Sequence, residues 1–432
     1  MKGDVRLNFE QIFDDLYSKI EKMNVVDVHN HLNPVSLSIK SFEDVVFYHY
    51  IVTELATSGM PSRLLNDLKG LERLKAALPY MKFLRNTSTF WALKKILLDL
   101  YGLDISTINE DNVANFVKVL EERREDEAWA KDIIRNYAHV KRSILTLSPI
   151  EEVPKYDSML FTGSLRMDPV IPNLTKETIK YLEQAYDVEV NAPKDLEEVL
   201  SKMFKSFSTH IVSATVNVQP DDYFFKLHPS PEEVKPYLFE LKNVGVIDAQ
   251  GRQTLSSYLF NHMLKLCGEY GLTVQLMLGV KRPVPGASPP DYAITVFNSQ
   301  QLLDLALLFA KYPETNFDIF IADSLLNHPL TVFSKNYPNV FLTGYWWYSM
   351  YPEIIRSYLR VRLQMLPYNK LGGFFSDAYV ADWVYGKAVL AKRQIAHVLT
   401  EMVAEKYIDK DLAYDIAEAI LYENAKKVYK KI

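Results

Sequence analysis

Val25-Val26-Asp27-Val28-His29-Asn30-His31 is a run of β-branched residues that ends in two histidines at i and i+2. Successive side chains on a strand point to opposite faces, so His29 and His31 share a face, and Asp27 shares it with them. If the strand belongs to a closed barrel, that face can be the interior. Two neutral imidazoles so placed can share one divalent ion, with Asp27 orienting a ring from behind. A surface or structural role suits a lone His-x-His pair equally well; the position at the end of the first predicted strand favours the metal reading.

Working outward, short β-rich runs alternate with helical segments, the pattern of a parallel sheet with crossover helices. The predicted strands are Val25 to Val28, Ser143 to Leu147, Met159 to Leu165, Ile211 to Val218, Leu272 to Leu278, Phe317 to Ala322, Val340 to Thr343 and Gly373 to Ser376. Eight such runs fit a (β/α)8 TIM barrel, although periodicity does not separate a closed barrel from an open doubly wound sheet. The 432 residues suit one domain with insertions. Leu32 to Lys141 reads as a helical insertion after the first strand, with helices over Phe47 to Thr57, Arg63 to Leu78, Trp91 to Leu100, Asn112 to Arg124 and Trp129 to Tyr137. Inserted at the rim where barrel sites lie, it is expected to cap the site, or else to serve only as a packing subdomain. The C-terminal tail reads as helix from Trp383 through Met402 and again from Lys410 to Lys430.

Composition narrows the partners. The chain is 48% hydrophobic and 24% charged, as a soluble globular protein is, and its formal charge of −5 offers no broad basic field for nucleic acid. One cysteine, Cys267, excludes an internal disulfide framework and a cysteine-rich zinc ribbon, so any metal must rest on His and carboxylates. No signal peptide or membrane span is evident, and a cytoplasmic enzyme is expected, with no membrane partner.

At the other end of the predicted barrel, Leu371-Gly372-Gly373-Phe374-Phe375-Ser376-Asp377 is an apolar strand that stops at a carboxylate. Asp377 there can complete a metal site and move protons, or simply cap the following helix. Tyr345-Trp346-Trp347-Tyr348, after the seventh strand, can stack on a sugar ring or pack on the inserted helices.

Together these features resemble the amidohydrolase superfamily, whose barrels pair a His-x-His on the first strand with an Asp on the last. The resemblance sharpens to the uronate (glucuronate) isomerases. It rests on His49-Tyr50 with Ser58-Gly59-Met60, Leu84-Arg85-Asn86 with Trp91, Arg166-Met167-Asp168, Gln275-Leu276 with Gly279, Trp346-Trp347 and Glu423-Asn424-Ala425-Lys426, in one order over most of the chain. It implies a metal-dependent aldose-ketose isomerase acting on a hexuronate or related sugar acid. One divalent ion, with zinc expected, would sit on His29, His31 and Asp377. Asp377 and Tyr50 would be catalytic, Arg166 would grip the substrate carboxylate, and His49, Trp346 and Trp347 would line the site. By analogy the protein would be a homo-oligomer.

The chain departs from that pattern at specific places. Met277 stands where the family has the His of Gln-Leu-His, and Ala378-Tyr379 follows Asp377 where the family has Ser-Arg. Thr53 stands for the Arg of His-Tyr-x-x-Arg, and His328-Pro329 falls where the family has an arginine after the sixth strand. Each lost cationic contact is worth about 2 to 4 kcal/mol in a transition state. His328, or Asp323 nearer the strand end, is expected to take a catalytic role, and Lys281 or Arg282 to restore positive charge. A metal-dependent hydrolase of an ester, lactone or amide is the alternative, and an inactive sugar-acid binding barrel a third. His210 precedes its strand and is expected at the opposite end of the barrel; His139, His228, His262 and His397 read as structural.

Overall fold

The computed structural model describes residues 2–287, 292–430 and 432. The eight strands are β1 (Val25–Asn30), β2 (Val140–Leu147), β3 (Phe161–Arg166), β4 (Ile211–Val218), β5 (Thr273–Leu278), β6 (Phe317–Ile321), β7 (Val340–Thr343) and β8 (Leu371–Gly372). They pair in parallel, each with the next, from β1 to β8. All of β1 and β5 is buried, as strands covered on both faces must be. The fold is a (β/α)8 barrel.

The eighth strand departs from expectation. Its ladder holds only Leu371 and Gly372, and the Gly373 to Ser376 stretch lies beyond it. The reason is a long-range one: Gly373 N donates to Ile420 O (2.6 Å), so the C-terminal tail takes the pairing a neighbouring strand would have had. Further along, Asp377 N donates to His29 O and His31 N to Ala378 O (both 2.9 Å), and Ser376 N donates to the Asp27 carboxylate (2.9 Å). These bonds join the last strand to the first at the C-terminal rim, and they fix Asp377 beside the histidines.

The barrel interior is filled by Val26, Val28, Ile144, Val212, Phe320 and Phe375, closed at the rim by Met277 and Trp346 and elsewhere by Ala425, Val428 and Tyr429 of the tail. Thr273 donates to Val428 O (2.6 Å) and the Tyr429 hydroxyl to Asp318 (2.5 Å), so the last helical turn is fastened into the barrel. The predicted helix from Lys410 to Lys430 is correspondingly not continuous: Lys410–Glu418 passes through a π turn, Ala419–Glu423, before Asn424–Val428. Tyr429→Ala removes a fully buried ring and strands the Asp318 carboxyl, which burial already raises to about 6. We expect a loss of about 4 kcal/mol in denaturant unfolding; a loss under about 1 kcal/mol would mean that the tail does not plug the barrel.

The insertion is helical, as its periodicity predicts, but Arg63 to Leu78 is broken into Ser62–Asn66 and Gly70–Met81. Gly70 takes a left-handed backbone (φ 58°) and its N–H is drawn to the Glu43 carboxylate, which also pairs with Arg73 (2.6 Å). Ser88–Tyr101 begins under a Thr87 cap and packs on the long tail helix Ala381–Ala404. Tyr101 donates to Asp382 and Tyr385 to Asp99 (both 2.6 Å), and Trp383 Nε1 donates to Val45 O (3.0 Å). The insertion and the tail helix therefore hold each other over the C-terminal rim of the barrel. Among the described residues no helix is long and apolar enough to cross a membrane.

Candidate active site

The ends of β1, β3 and β5, the segment after β8, the loop after β7 and the inserted His49–Thr57 helix meet around a cavity of about 350 Å³. Its walls are His29, His31, His49, Tyr50, Arg166, Met277, Arg282, Trp346, Trp347, Asp377 and Tyr379. His328 is absent from this wall. It lies on the exposed side of the first turn of Asn327–Asn336, because a 3-10 turn over Ser324–Leu326, capped by Asp323, swings the chain away from the strand end. Lys281 is likewise engaged elsewhere, with Asp221 (2.7 Å).

Two imidazoles and a carboxylate converge here. The ligand atoms of His29, His31 and Asp377 all lie within 4.8 Å of one another. Burial, then the neighbouring His31, lowers the His29 pKa to about 3, so this ring is neutral and offers a lone pair. Burial alone would raise Asp377, but the hydrogen bond from His31 (3.2 Å) and the nearby Lys387 ammonium hold it well below the usual carboxylate range. Neutral imidazole with ionised carboxylate is the donor set of a divalent transition ion, and three protein donors leave coordination positions open. The residues present fit such an ion.

The barrel interior dictates which His29 nitrogen faces the site. Gln275 Nε2 donates to Val28 O (2.9 Å), which fixes the amide orientation, and also to the Tyr429 hydroxyl (2.8 Å). Its Oε1 accepts from Thr215 (2.6 Å) and Ser164 (3.1 Å) and lies 3.3 Å from His29 Nδ1. Nδ1 must therefore carry the proton, and Nε2, 3.2 Å from the Thr146 hydroxyl, presents the lone pair. Asp27, expected to orient a ring, instead accepts from Ser376 and Asn30 and ties β1 to the segment after β8.

Asp377 occupies a left-handed backbone (φ 50°), which Asp tolerates better than most residues. Lys387, buried on the tail helix, holds that turn: its Nζ donates to Ser376 O (2.5 Å) and Asp377 O (3.2 Å), and lies 4.9 Å from the Tyr50 ring centre. Burial lowers its pKa to about 8 against the pull of Asp377 and Asp27. Sequence reading missed Lys387. The signal was there, since Trp383, Val384, Leu390 and Ala391 put its helix face in the core.

Arg166 spends Nε on Asp168 (2.7 Å), which also accepts from Asn217 N (2.7 Å). The guanidinium is thus braced across β3 and β4, and among the described residues its two terminal nitrogens are left for the cavity. Arg282 lies over the Trp347 ring (5.2 Å), and among the described residues no carboxylate pairs with it. Tyr379, which stands where the resembled family has an arginine, stacks on His31 (4.8 Å, 11°) and stands edge-on to His49 (5.4 Å). Burial, then the Lys387 charge, lowers His49 to about 3, leaving it neutral as well. The cavity therefore combines a candidate metal triad, two guanidinium groups and an aromatic wall.

No family model matches the chain. Curated relatives are similar along nearly all of it: the uronate isomerase of Nostoc punctiforme is 19% identical, covering 96% of this chain and 94% of the relative, and that of Rhizorhabdus wittichii 21% identical with the same coverage. Among solved structures, uronate isomerase from Thermotoga maritima superposes with a TM-score of 0.86 at 14% identity, covering 97% of both chains. Glucuronate isomerase from Caulobacter crescentus gives 0.86 at 16% identity, covering 98% of this chain and 94% of the other. The chain is a (β/α)8 barrel that resembles the uronate isomerases along nearly its whole length.

Proposed function

We propose that this protein interconverts the aldose and ketose forms of a hexuronate or closely related sugar acid, with one divalent ion, zinc, held by His29, His31 and Asp377. The observation that carries the reading is the meeting of that triad with the braced Arg166 in one cavity. The full-length likeness to uronate isomerases supports the same class. When bound, the ion supplies Lewis-acid polarisation of the sugar's oxygens.

The chain's own groups do the rest. Arg166 binds the carboxylate through its free guanidinium edge, and this sets which end of the sugar reaches Asp377. The Asp377 carboxylate accepts the C2 proton of the aldose and returns it at C1, so the reaction consumes no water and changes no composition. The Tyr50 phenol contacts a substrate oxygen as the hydroxyl proton moves from O2 to O1. His49, neutral, lines the same wall. Trp346 and Trp347 offer apolar faces to the sugar ring, and Arg282 adds positive charge beside them. The inserted helices act as the cap that contributes His49 and Tyr50, and the enzyme works in the cytoplasm. His328 has no part in this scheme.

The deciding experiment is NMR of D-glucuronate and D-galacturonate incubated in deuterium oxide with metal-loaded protein of measured zinc content. Ketose formation is expected, with deuterium entering wherever Asp377 exchanges its proton with solvent. A metal-loaded sample that leaves both sugars unchanged while hydrolysing a lactone or amide would replace this reading.

A second expectation concerns metal retention. Gln275→Leu removes the acceptor that fixes the His29 tautomer, and loss of such a partner costs roughly 10- to 100-fold in metal affinity. Chelator competition measures it. Wild-type affinity in a folded variant would show that His29 needs no such support.

A further inference from the structure

A second cavity stands apart from the one around the histidines. It lies at the opposite end of the barrel, has a volume of about 680 Å³, and is lined by the N-terminal ends of β2, β3 and β4 with the connecting segment from Val153 to Ser158. Its polar groups include Arg142, Lys155, His210, Tyr156, Ser158 and Thr209, and no carboxylate lines it among the described residues.

Among the described residues no carboxylate neutralises the fixed positive charge there. Among the described residues Arg142 makes one hydrogen bond, to Ser158 O (2.5 Å), and its buried Nε has no acceptor, whereas a guanidinium ordinarily makes several. Lys155 has no ion pair among the described residues. The nearest acidic side chain in the same segment, Asp157, is already matched by Arg135 (2.7 Å). His210 shares Nδ1 with the Tyr156 hydroxyl (3.1 Å), which leaves its other ring nitrogen without a protein partner. Two unpaired cations and a histidine around a concave, half-polar space are complementary to an oxyanion. The volume lies in the range of small-molecule sites and exceeds what a single inorganic ion fills.

We propose that this basal cavity is a second binding site, for a small organic anion presenting a phosphate or carboxylate group to Arg142 and Lys155. The site is separate from the sugar-acid cavity and does not depend on the reaction proposed there. Its strands carry Thr146, Arg166 and Thr215 at their other ends, so its occupant sits beneath the walls of the active site without touching them.

Isothermal titration of the full metal-loaded chain with inorganic phosphate, glycerol 2-phosphate and succinate, at constant ionic strength in chloride, tests the proposal. Saturable binding of at least one probe is expected. Lys155→Glu should weaken it at least tenfold, Arg142→Leu should abolish it, and Arg166→Met should leave it unchanged. Response to the phosphates alone or to succinate alone identifies which anion the cavity takes. If Arg142→Leu fails to fold, Lys155→Glu, on an exposed segment, decides. Absence of saturable binding in the wild type, equal affinity in Lys155→Glu, or loss in Arg166→Met would overturn it.

Discussion

Asp377→Asn is expected to lower kcat about a thousandfold or more, with the fold intact and bound metal reduced toward background. General-base catalysis alone is worth roughly 10²- to 10⁴-fold, and an amide accepts no proton at neutral pH. The same change removes the ionised partner of His31 (3.2 Å) and one of three candidate metal donors. Asn suits the left-handed backbone at this position (φ 50°) as well as Asp does, and the hydrogen bonds of Asp377 N to His29 O and of Lys387 Nζ to Asp377 O use only the main-chain atoms of residue 377. The loss is therefore chemical rather than conformational. Metal analysis and turnover of the same sample check it; activity within about tenfold of wild type at equal metal content would remove Asp377 from both roles. Lys387→Met separates the position of the carboxylate from its identity, since it leaves Asp377 in place but frees the carbonyls of Ser376 and Asp377. It should lower kcat by a smaller factor than Asp377→Asn does.

How much of this site the sequence discloses depends on the range of the interactions that build it. His29 and His31 are legible because a strand's period of two puts both on one face whatever lies around them. Arg166 is legible only through the resemblance, since the predicted strand stops at Leu165 and the observed one runs a residue further to include it. Asp377 is found by its position after an apolar run, yet the ladder stops at Gly372, since the run is completed by a hydrogen bond from Gly373 to Ile420, a partner no local pattern announces. His328 shows the converse error. It follows a strand in sequence, but the capped 3-10 turn after Asp323 rotates it to the surface, and a window of strand periodicity contains nothing about that turn. Lys387 and Tyr429 reach the site or its support from the tail. Each was on a predicted helix, and what remained hidden was the face each helix would turn to the barrel.

Arg166→Met should lower kcat/KM for a hexuronate by about a hundredfold while changing turnover of the corresponding neutral aldose by no more than about threefold. A two-point contact between guanidinium and carboxylate is worth about 3 kcal/mol, which converts to that factor. The neutral sugar lacks the group that uses it, so the two substrates separate lost binding from general damage to the cavity. Asp168→Asn refines the test: it leaves the guanidinium but removes the ionised brace that holds Nε at 2.7 Å, and should produce a smaller loss in the same direction. The competing assignment gives the carboxylate to Arg282, which has no ion pair among the described residues and stacks over Trp347 (5.2 Å). In that case Arg282→Met shows the selective loss, and Arg166→Met depresses both substrates alike through the wall it shares with Asp168 and Asn217. The bracing favours Arg166, because a guanidinium held on one side by a carboxylate has already lost the freedom that binding would otherwise remove. Among the described residues the guanidinium over Trp347 is held by a ring face alone, so it fits a supporting role, adding positive charge at the rim without fixing the register of the sugar.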